Sequence, residues 1–296
     1  MSISESPSPA KGVRALLNAP PPHLWFAVSA VFHYLGPSFA VLLFPHVGVL
    51  GVAWFRIGSA ALIFAPVTRP WRTIARADWK TRMLLLAMGG CLAVMNTSFY
   101  LALDRLPMSL VAAMEFVATI GIALAGTRTL RNLIALCLSV GGVFLLIDVR
   151  WQSDPVGLFW SATNAMLFAV YVVLGHRLAA QGAGNGIERL GAAMAVAFLI
   201  LLPVGFVQAA KAFGSLELVA AGIGVGFCSS VIPYVCDQLA MARLPRASFA
   251  LMLALLPATA TLIAALVLAQ IPTTVDLAGL ALVMLGIVTH RQHDSA

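Results

Sequence analysis

Apolar runs of membrane-spanning length recur along the whole chain, separated by short clusters of charged, Gly and Pro positions. A spanning helix needs about 20 such residues, and the pattern predicts ten of them. They run roughly Leu24–Phe44, Val47–Val67, Met83–Leu103, Pro107–Leu124, Leu130–Asp148, Val156–Leu178, Leu190–Ala209, Leu218–Met241, Pro245–Leu268 and Val275–Thr289. The fold class expected is all-α integral membrane, with connections too short to hold a soluble domain.

The chain also repeats itself. Arg105-Leu106-Pro107 returns as Arg243-Leu244-Pro245, an offset of 138 residues, with Leu101, Ala102, Ala112 and Met114 matched by Leu239, Ala240, Ala250 and Met252. Arg56-Ile57-Gly58 resembles Arg189-Leu190-Gly191 at a similar offset, and Ala30-Val31 with Leu35-Gly36 resembles Ala169-Val170 with Leu174-Gly175. Two half-length copies are expected. An odd number of spans per copy makes the second enter from the opposite side, so ten transmembrane helices would form two inverted five-helix repeats. The expected boundaries are a tail over 1–22, repeats over 23–150 and 151–290, and a second tail over 291–296. Each Arg-Leu-Pro reads as a tight helical hairpin, the Arg meeting the negative end of one helix and the Pro opening the next at its first turn.

Composition sharpens this. Apolar residues make up 61% of the chain and charged residues 10%, against about 45–50% and 25% in soluble domains. The net charge of +7 therefore reads as topology rather than as a nucleic-acid surface. Of the 18 Lys and Arg, only Arg105, Arg150 and Lys211 fall on one side, Arg56 lies inside a span, and the rest share the side of both tails. By the positive-inside rule both termini face the cytoplasm of a multi-pass plasma-membrane (in bacteria, inner-membrane) protein. Residues 1–22 lack an apolar core of their own and do not read as a cleavable signal peptide. Cys91, Cys137, Cys228 and Cys236 all fall in apolar runs and read as buried, unpaired side chains.

Candidate chemistry sits where polar groups are kept inside spans. Arg56, Glu115 and Asp237 each cost a few kcal/mol near the bilayer centre unless paired or hydrated. Glu115 suits a proton-coupling or amine-binding carboxylate; Arg56 suits pairing with an internal acid or reaching the outer interface, and otherwise holding a substrate carboxylate. Asn96 and Tyr100 share a helix face, and at the repeat offset Asn96 corresponds to Tyr234 and Phe99 to Asp237. The first helix of each half adds His33 and Tyr34, just before an expected irregularity at Gly36-Pro37, and the stripe Trp160, Asn164, Phe168 and Tyr171. The expected substrate-binding set is Tyr34, Arg56, Asn96, Tyr100, Trp160, Tyr171, Tyr234 and Asp237, with Glu115 and His33 as proton-coupling candidates. No paired membrane aspartates, Gly-x-Ser-x-Gly, metal-ligand spacing or phosphate loop occurs, so no enzyme, cofactor or metal is expected.

These stretches resemble the EamA-type ten-helix branch of the drug/metabolite transporter superfamily, and especially the threonine/homoserine exporters. The resemblance is carried by Phe44-Pro45, Val47-Gly48 and Arg56, by Met95-Asn96 with Phe99-Tyr100-Leu101, by Glu115-Phe116, by Tyr171, Gly175 and Arg177, and by Pro233-Tyr234 through Asp237 to Pro245. It implies a secondary exporter of small amino acids or related metabolites, with a central cavity lined by the first four helices of each half. The chain departs from the family pattern at Val41, Leu256 and Ala269-Gln270, where relatives often carry a Lys, a Glu and a Gly-Glu. Expected partners are a small-molecule substrate, the lipid bilayer and a coupling proton, with a homodimer left open. Efflux of hydrophobic drugs or aromatic metabolites is one alternative function; a non-transporting receptor or assembly subunit is the other.

Overall fold

A computed structural model describes residues 20–115, 129–148, 154–179, 183–244 and 255–289. The described chain is all helical. We number α1 (Pro22–Val47), α2 (Val49–Thr68), α3 (Pro70–Arg76), α4 (Trp79–Leu103), α5 (Leu130–Asp148), α6 (Pro155–Ala179), α7 (Ala183–Ala209), α8 (Leu216–Gly226), α9 (Ile232–Met241), α10 (Leu255–Leu268) and α11 (Thr274–Thr289). A further helical stretch covers 108–115. A π-turn, Phe227–Val231, joins α8 and α9 into one span. Six spans among the described residues are long and apolar enough to cross a bilayer. The molecule is thus an all-α, multi-pass membrane protein. The expected helix over Pro107–Leu124 beyond residue 115, the start of that over Pro245–Leu268, and most of both tails lie outside the described residues.

Hydrocarbon offers no hydrogen-bond partners, so each helix start must be satisfied from within the protein. Pro22 opens α1 in its first turn, where a missing amide donor costs nothing. Asp78 and Ser215 accept from the backbone of α4 and α8 at 3.3 Å. Thr273 and Asp276 cap each other's amides at the start of α11, at 2.9 and 3.2 Å. Two starts are capped from a distance. Gln208 Oε1 accepts from Leu50 and Gly51 at the head of α2 (2.9 and 3.2 Å), and Gln270 Oε1 accepts from Met108 at 3.3 Å.

Packing crosses between the two parts of the sequence. α2 lies along α7, α4 along α6 and α7, α1 along the 216–241 span and α10, and α5 along α11. Small residues set the closest approaches. A Cβ on Gly142 would stand 2.5 Å from the Gly279 carbonyl oxygen, and one on Gly36 would stand 2.6 Å from the Ser229 amide nitrogen.

The two Arg-Leu-Pro turns share one backbone pattern. Asp104, Arg105 and Leu106 donate to Tyr100, Ala102 and Ala102 at 3.0, 3.0 and 2.8 Å, and Ala242, Arg243 and Leu244 repeat this 138 residues later at 3.1, 3.0 and 2.8 Å. Their side chains part ways. Arg243 does turn back, its Nε donating to the Leu239 carbonyl at 3.2 Å. Arg105 instead forms an ion pair with Asp154, which itself caps Val156 at the head of α6. Hydrogen bonding to Arg105 holds the Asp154 carboxyl below the usual carboxylate range. Its stabilising effect is therefore present at neutral pH and fades as pH falls through that depressed value. Pro107 precedes its helix rather than opening the first turn, lending its carbonyl to Leu110 and Val111.

Three further corrections concern local structure. α1 runs unbroken through Gly36-Pro37; the irregularity sits opposite, in the π-turn. Cys137 is exposed and Cys228 half-buried, while Cys91 and Cys236 are buried, and all four are unpaired. The short helix α3 was not legible as a span because it is not one.

Ala269 holds a left-handed backbone (φ 53°) between α10 and α11, a conformation that costs a residue with a Cβ about 1–2 kcal/mol. Ala269→Gly is expected to stabilise the protein by about 1 kcal/mol in thermal unfolding in detergent; an unchanged or lower melting temperature would contradict the strain. Gly36→Ala is expected to do the reverse, lowering stability by roughly 1–3 kcal/mol by forcing α1 off the π-turn.

Candidate functional site: a buried polar cluster around Arg56

The cluster begins with a proline. Pro233 has no amide hydrogen, so the carbonyl four residues earlier, Ser229, loses its helical donor. The helix widens locally, with Ile232 donating to Phe227 across the π-turn. Gly36 lets α1 close against this turn, and Arg56 from α2 supplies the missing donor. Its Nη2 donates to the Ser229 carbonyl and its Nε to Ser230 Oγ, each at 3.0 Å.

Arg56 is 3% exposed, and two aromatic faces from α4 support it. Its guanidinium carbon lies 5.1 Å from the Tyr100 ring centre and 5.7 Å from that of Phe99, cation–π contacts strengthened by the absence of water. The expected pairing with an internal acid is not what is found: Arg56 is held by a carbonyl, a hydroxyl and two rings. Its Nη1 is buried without a hydrogen-bond partner among the described residues, as are the hydroxyls of Tyr100 and Tyr171.

The two buried acids each meet a residue of α1. Glu115 accepts from Asn164 Nδ2 of α6 at 2.7 Å and from the Tyr34 hydroxyl at 3.5 Å. Asp237 of α9 accepts from Ser29 Oγ of α1 at 2.5 Å, and the same hydroxyl lies 3.3 Å from the Pro233 carbonyl. His33 sits between these levels of α1, its ring edge-on to Tyr34 at 5.3 Å and to Phe168 at 6.2 Å. Arg56 is within electrostatic reach of His33, Glu115 and Tyr234.

On the far side, Tyr234 donates to Asn96 Oδ1 at 3.3 Å while Asn96 Nδ2 donates to the Leu92 carbonyl at 2.7 Å. Tyr171 leans on Tyr234 with ring centres 5.5 Å apart. A small cavity bordered by Ser29, His33, Phe168, Tyr171, Asp237 and Met241 has a volume of about 10 Å³, which is room for roughly one water.

Nine of the ten residues singled out in the sequence therefore converge in one buried region: Tyr34, Arg56, Asn96, Tyr100, Tyr171, Tyr234, Asp237, Glu115 and His33. Trp160 does not join their contacts; it is half-buried near the start of α6 and pairs edge-on with Phe159 at 5.1 Å. The site residues not singled out are Ser29, Asn164, Ser229 and Ser230. Asn164 had a signal, lying on the helical stripe with Phe168 and Tyr171. The serines had a weaker one, the proline four residues after Ser229.

A multi-pass helical membrane protein with charged groups gathered in its buried centre has the form of a transporter. Residues 155–290 match the EamA-like transporter family. The chain is 29% identical over 252 residues to the threonine/homoserine exporter RhtA of Escherichia coli (strain K12) and to that of Salmonella typhimurium (strain LT2), covering 84% of this chain and 84% of each relative. A protein of known crystal structure shares the fold with a TM-score of 0.59 at 18% identity, covering 89% of this chain and 96% of that one. The chain thus carries the EamA-like transporter pattern over its second half and is related over most of its length to the RhtA threonine/homoserine exporters. Proteins of this family are transporters rather than enzymes, and the general activity is small-molecule export.

The hydrogen bonds to Glu115 differ in length, and their removal should differ in cost. Asn164→Leu, which deletes the 2.7 Å donor, is expected to destabilise the protein by about 1–3 kcal/mol. Tyr34→Phe, which deletes the 3.5 Å contact, should cost well under half as much. Equal losses in thermal unfolding would contradict this ranking.

Proposed function

We propose that the protein exports small amino acids of the threonine/homoserine kind by alternating access, its two halves related as inverted five-helix repeats and both termini facing the cytoplasm. The observation that carries this reading is Arg56, a fully buried guanidinium whose Nη1 has no hydrogen-bond partner among the described residues. A zwitterion needs a cation for its carboxylate and an acid for its ammonium. Arg56 offers the first, and Glu115 or Asp237, reached from the same helix α1, offers the second. The names of the relatives, threonine/homoserine exporters, favour the same substrate class.

Symmetry supports the mechanism. Three of the inter-helix pairings fit an exchange of the halves: α1 with the 216–241 span matches α6 with α4, while α2–α7 and α5–α11 map onto themselves. Asn96 and Tyr234, equivalent at the repeat offset of 138, touch each other, as residues beside a two-fold axis do. The central cavity has room for about one water, so a substrate is admitted only when the halves rock apart. In a proton-coupled cycle Glu115 is the group that loads and releases the proton, with His33 beside it on α1.

A second reading, efflux of aromatic metabolites or drugs, is favoured by the Phe168, Tyr171 and Tyr234 rings that line the centre. Efflux from proteoliposomes at matched and opposed pH separates the two. Saturable export of labelled threonine or homoserine is expected, reduced about tenfold or more in Arg56→Gln, since a charged hydrogen bond is worth about 1.5–3 kcal/mol. Unaltered flux in that variant would sink the zwitterion reading, and export of aromatic compounds alone would favour the second. Glu115→Gln is expected to abolish stimulation by a pH gradient; stimulation that survives it would exclude Glu115 as the coupling group.

A further inference from the structure

A second concentration of charge lies far from the central cluster, where the spans end. The chain leaves α2 at Arg69, turns sharply and runs back as the short helix α3 before entering α4. Between these elements and the head of α7 opens a cleft of about 630 Å³, bordered by Arg69, Arg72, Arg76 and Arg189, with Asp78 and Glu188 at its edge. Asp78 is already engaged, accepting from Thr81 at the head of α4. None of the four guanidiniums makes a side-chain hydrogen bond or ion pair to the described residues.

Two details distinguish this cleft from scattered surface charge. Arg69 holds a left-handed backbone with φ 45°, a conformation in which a Gly or Asn would be easier. Strain of this kind concentrates at functional positions. The neighbouring Arg82 is spent on structure: it donates to the carbonyls of Ile74 and Ala75 at 3.1 and 2.9 Å, tying the end of α3 to α4. The cleft arginines are thus carried on a braced wall while keeping their own donors free.

We propose that this cleft binds a phosphate-bearing anion, supplied by the headgroup of an anionic phospholipid. Guanidinium groups match phosphate oxygens in pairs of parallel hydrogen bonds. Several arginines around one cleft can clasp a single phosphate from different sides. The depth is that of a headgroup, because α2 has just ended, α4 is about to begin, and Trp71 and Trp79, 59% and 71% exposed, flank the arginines. Exposed tryptophans of this kind settle at the membrane–water interface. The chemistry does not depend on which side of the membrane the cleft faces, and it stands apart from the transport reading.

The test is retention of phosphatidylglycerol by the purified full-length protein, followed by native mass spectrometry and by thermal unfolding in detergent. Phosphatidylglycerol, but not phosphatidylcholine, is expected to remain bound and raise the melting temperature, with retention falling about fivefold for each arginine removed. Arg69→Gly is the informative variant, because it relieves the backbone while deleting the charge: retention should fall with no loss of intrinsic stability. Arg72→Gln should also lower retention, and Lys80→Gln, an exposed cation outside the cleft, should not. Stabilisation by inorganic phosphate that depends on the same arginines would support the site with free phosphate as its source. Equal retention in wild type, Arg69→Gly and Arg72→Gln, or an equal loss in Lys80→Gln, would overturn the proposal.

Discussion

The centre of this protein depends on one exchange of hydrogen-bond partners. Inside a bilayer a backbone carbonyl without a donor is costly, and Pro233 creates one at Ser229 by lacking an amide hydrogen. Arg56 fills the deficit at 3.0 Å, and in doing so a cation that hydrocarbon would reject acquires a fixed place. Each group resolves a cost that the other would otherwise carry. The π-turn opens the place, Gly36 lets α1 close on it, and the rings of Phe99 and Tyr100 complete the seat of that guanidinium.

Seating Arg56 on neutral partners has consequences for the acids. A buried Arg–carboxylate pair would leave little charge for anything else, since breaking such a pair is strongly unfavourable. Here Glu115 is held by an amide and a phenol and Asp237 by a hydroxyl. Among the described residues Arg56 makes no ion pair with either acid, and both acids are hydrogen-bonded to α1. An arrangement of this kind can respond to a ligand that carries both charges.

The two ends of the molecule solve different problems. In the centre, polar groups are satisfied across helices by a few directed bonds. At the boundary where α2, α3 and α4 meet, arginines are held apart from bonding partners on a short braced helix. The sequence shows both as basic residues, and only their surroundings distinguish them: Arg56 is buried, Arg82 acts as a backbone cap, and Arg69, Arg72, Arg76 and Arg189 border an open cleft.

The sequence by itself determined the membrane class, the positions of most spans, and the residues worth attention inside them. Apolar run length and the cost of charge in hydrocarbon are local properties, and Leu130–Asp148 is recovered to the residue. The recurrence of one turn 138 residues apart was also legible, because both Arg-Leu-Pro stretches keep the same backbone hydrogen bonds. What the tertiary structure alone decided was partnership. Arg56 could not be assigned to Ser229 and Ser230, nor Glu115 to Asn164, nor Arg105 to Asp154, because each bond joins segments that no local pattern relates. Trp160 shows the same limit from the other side: helical spacing placed it on the stripe with Tyr171, but the packing of α6 left it with Phe159 outside the cluster. Periodicity says which residues share a face; only the crossing of helices says what that face meets.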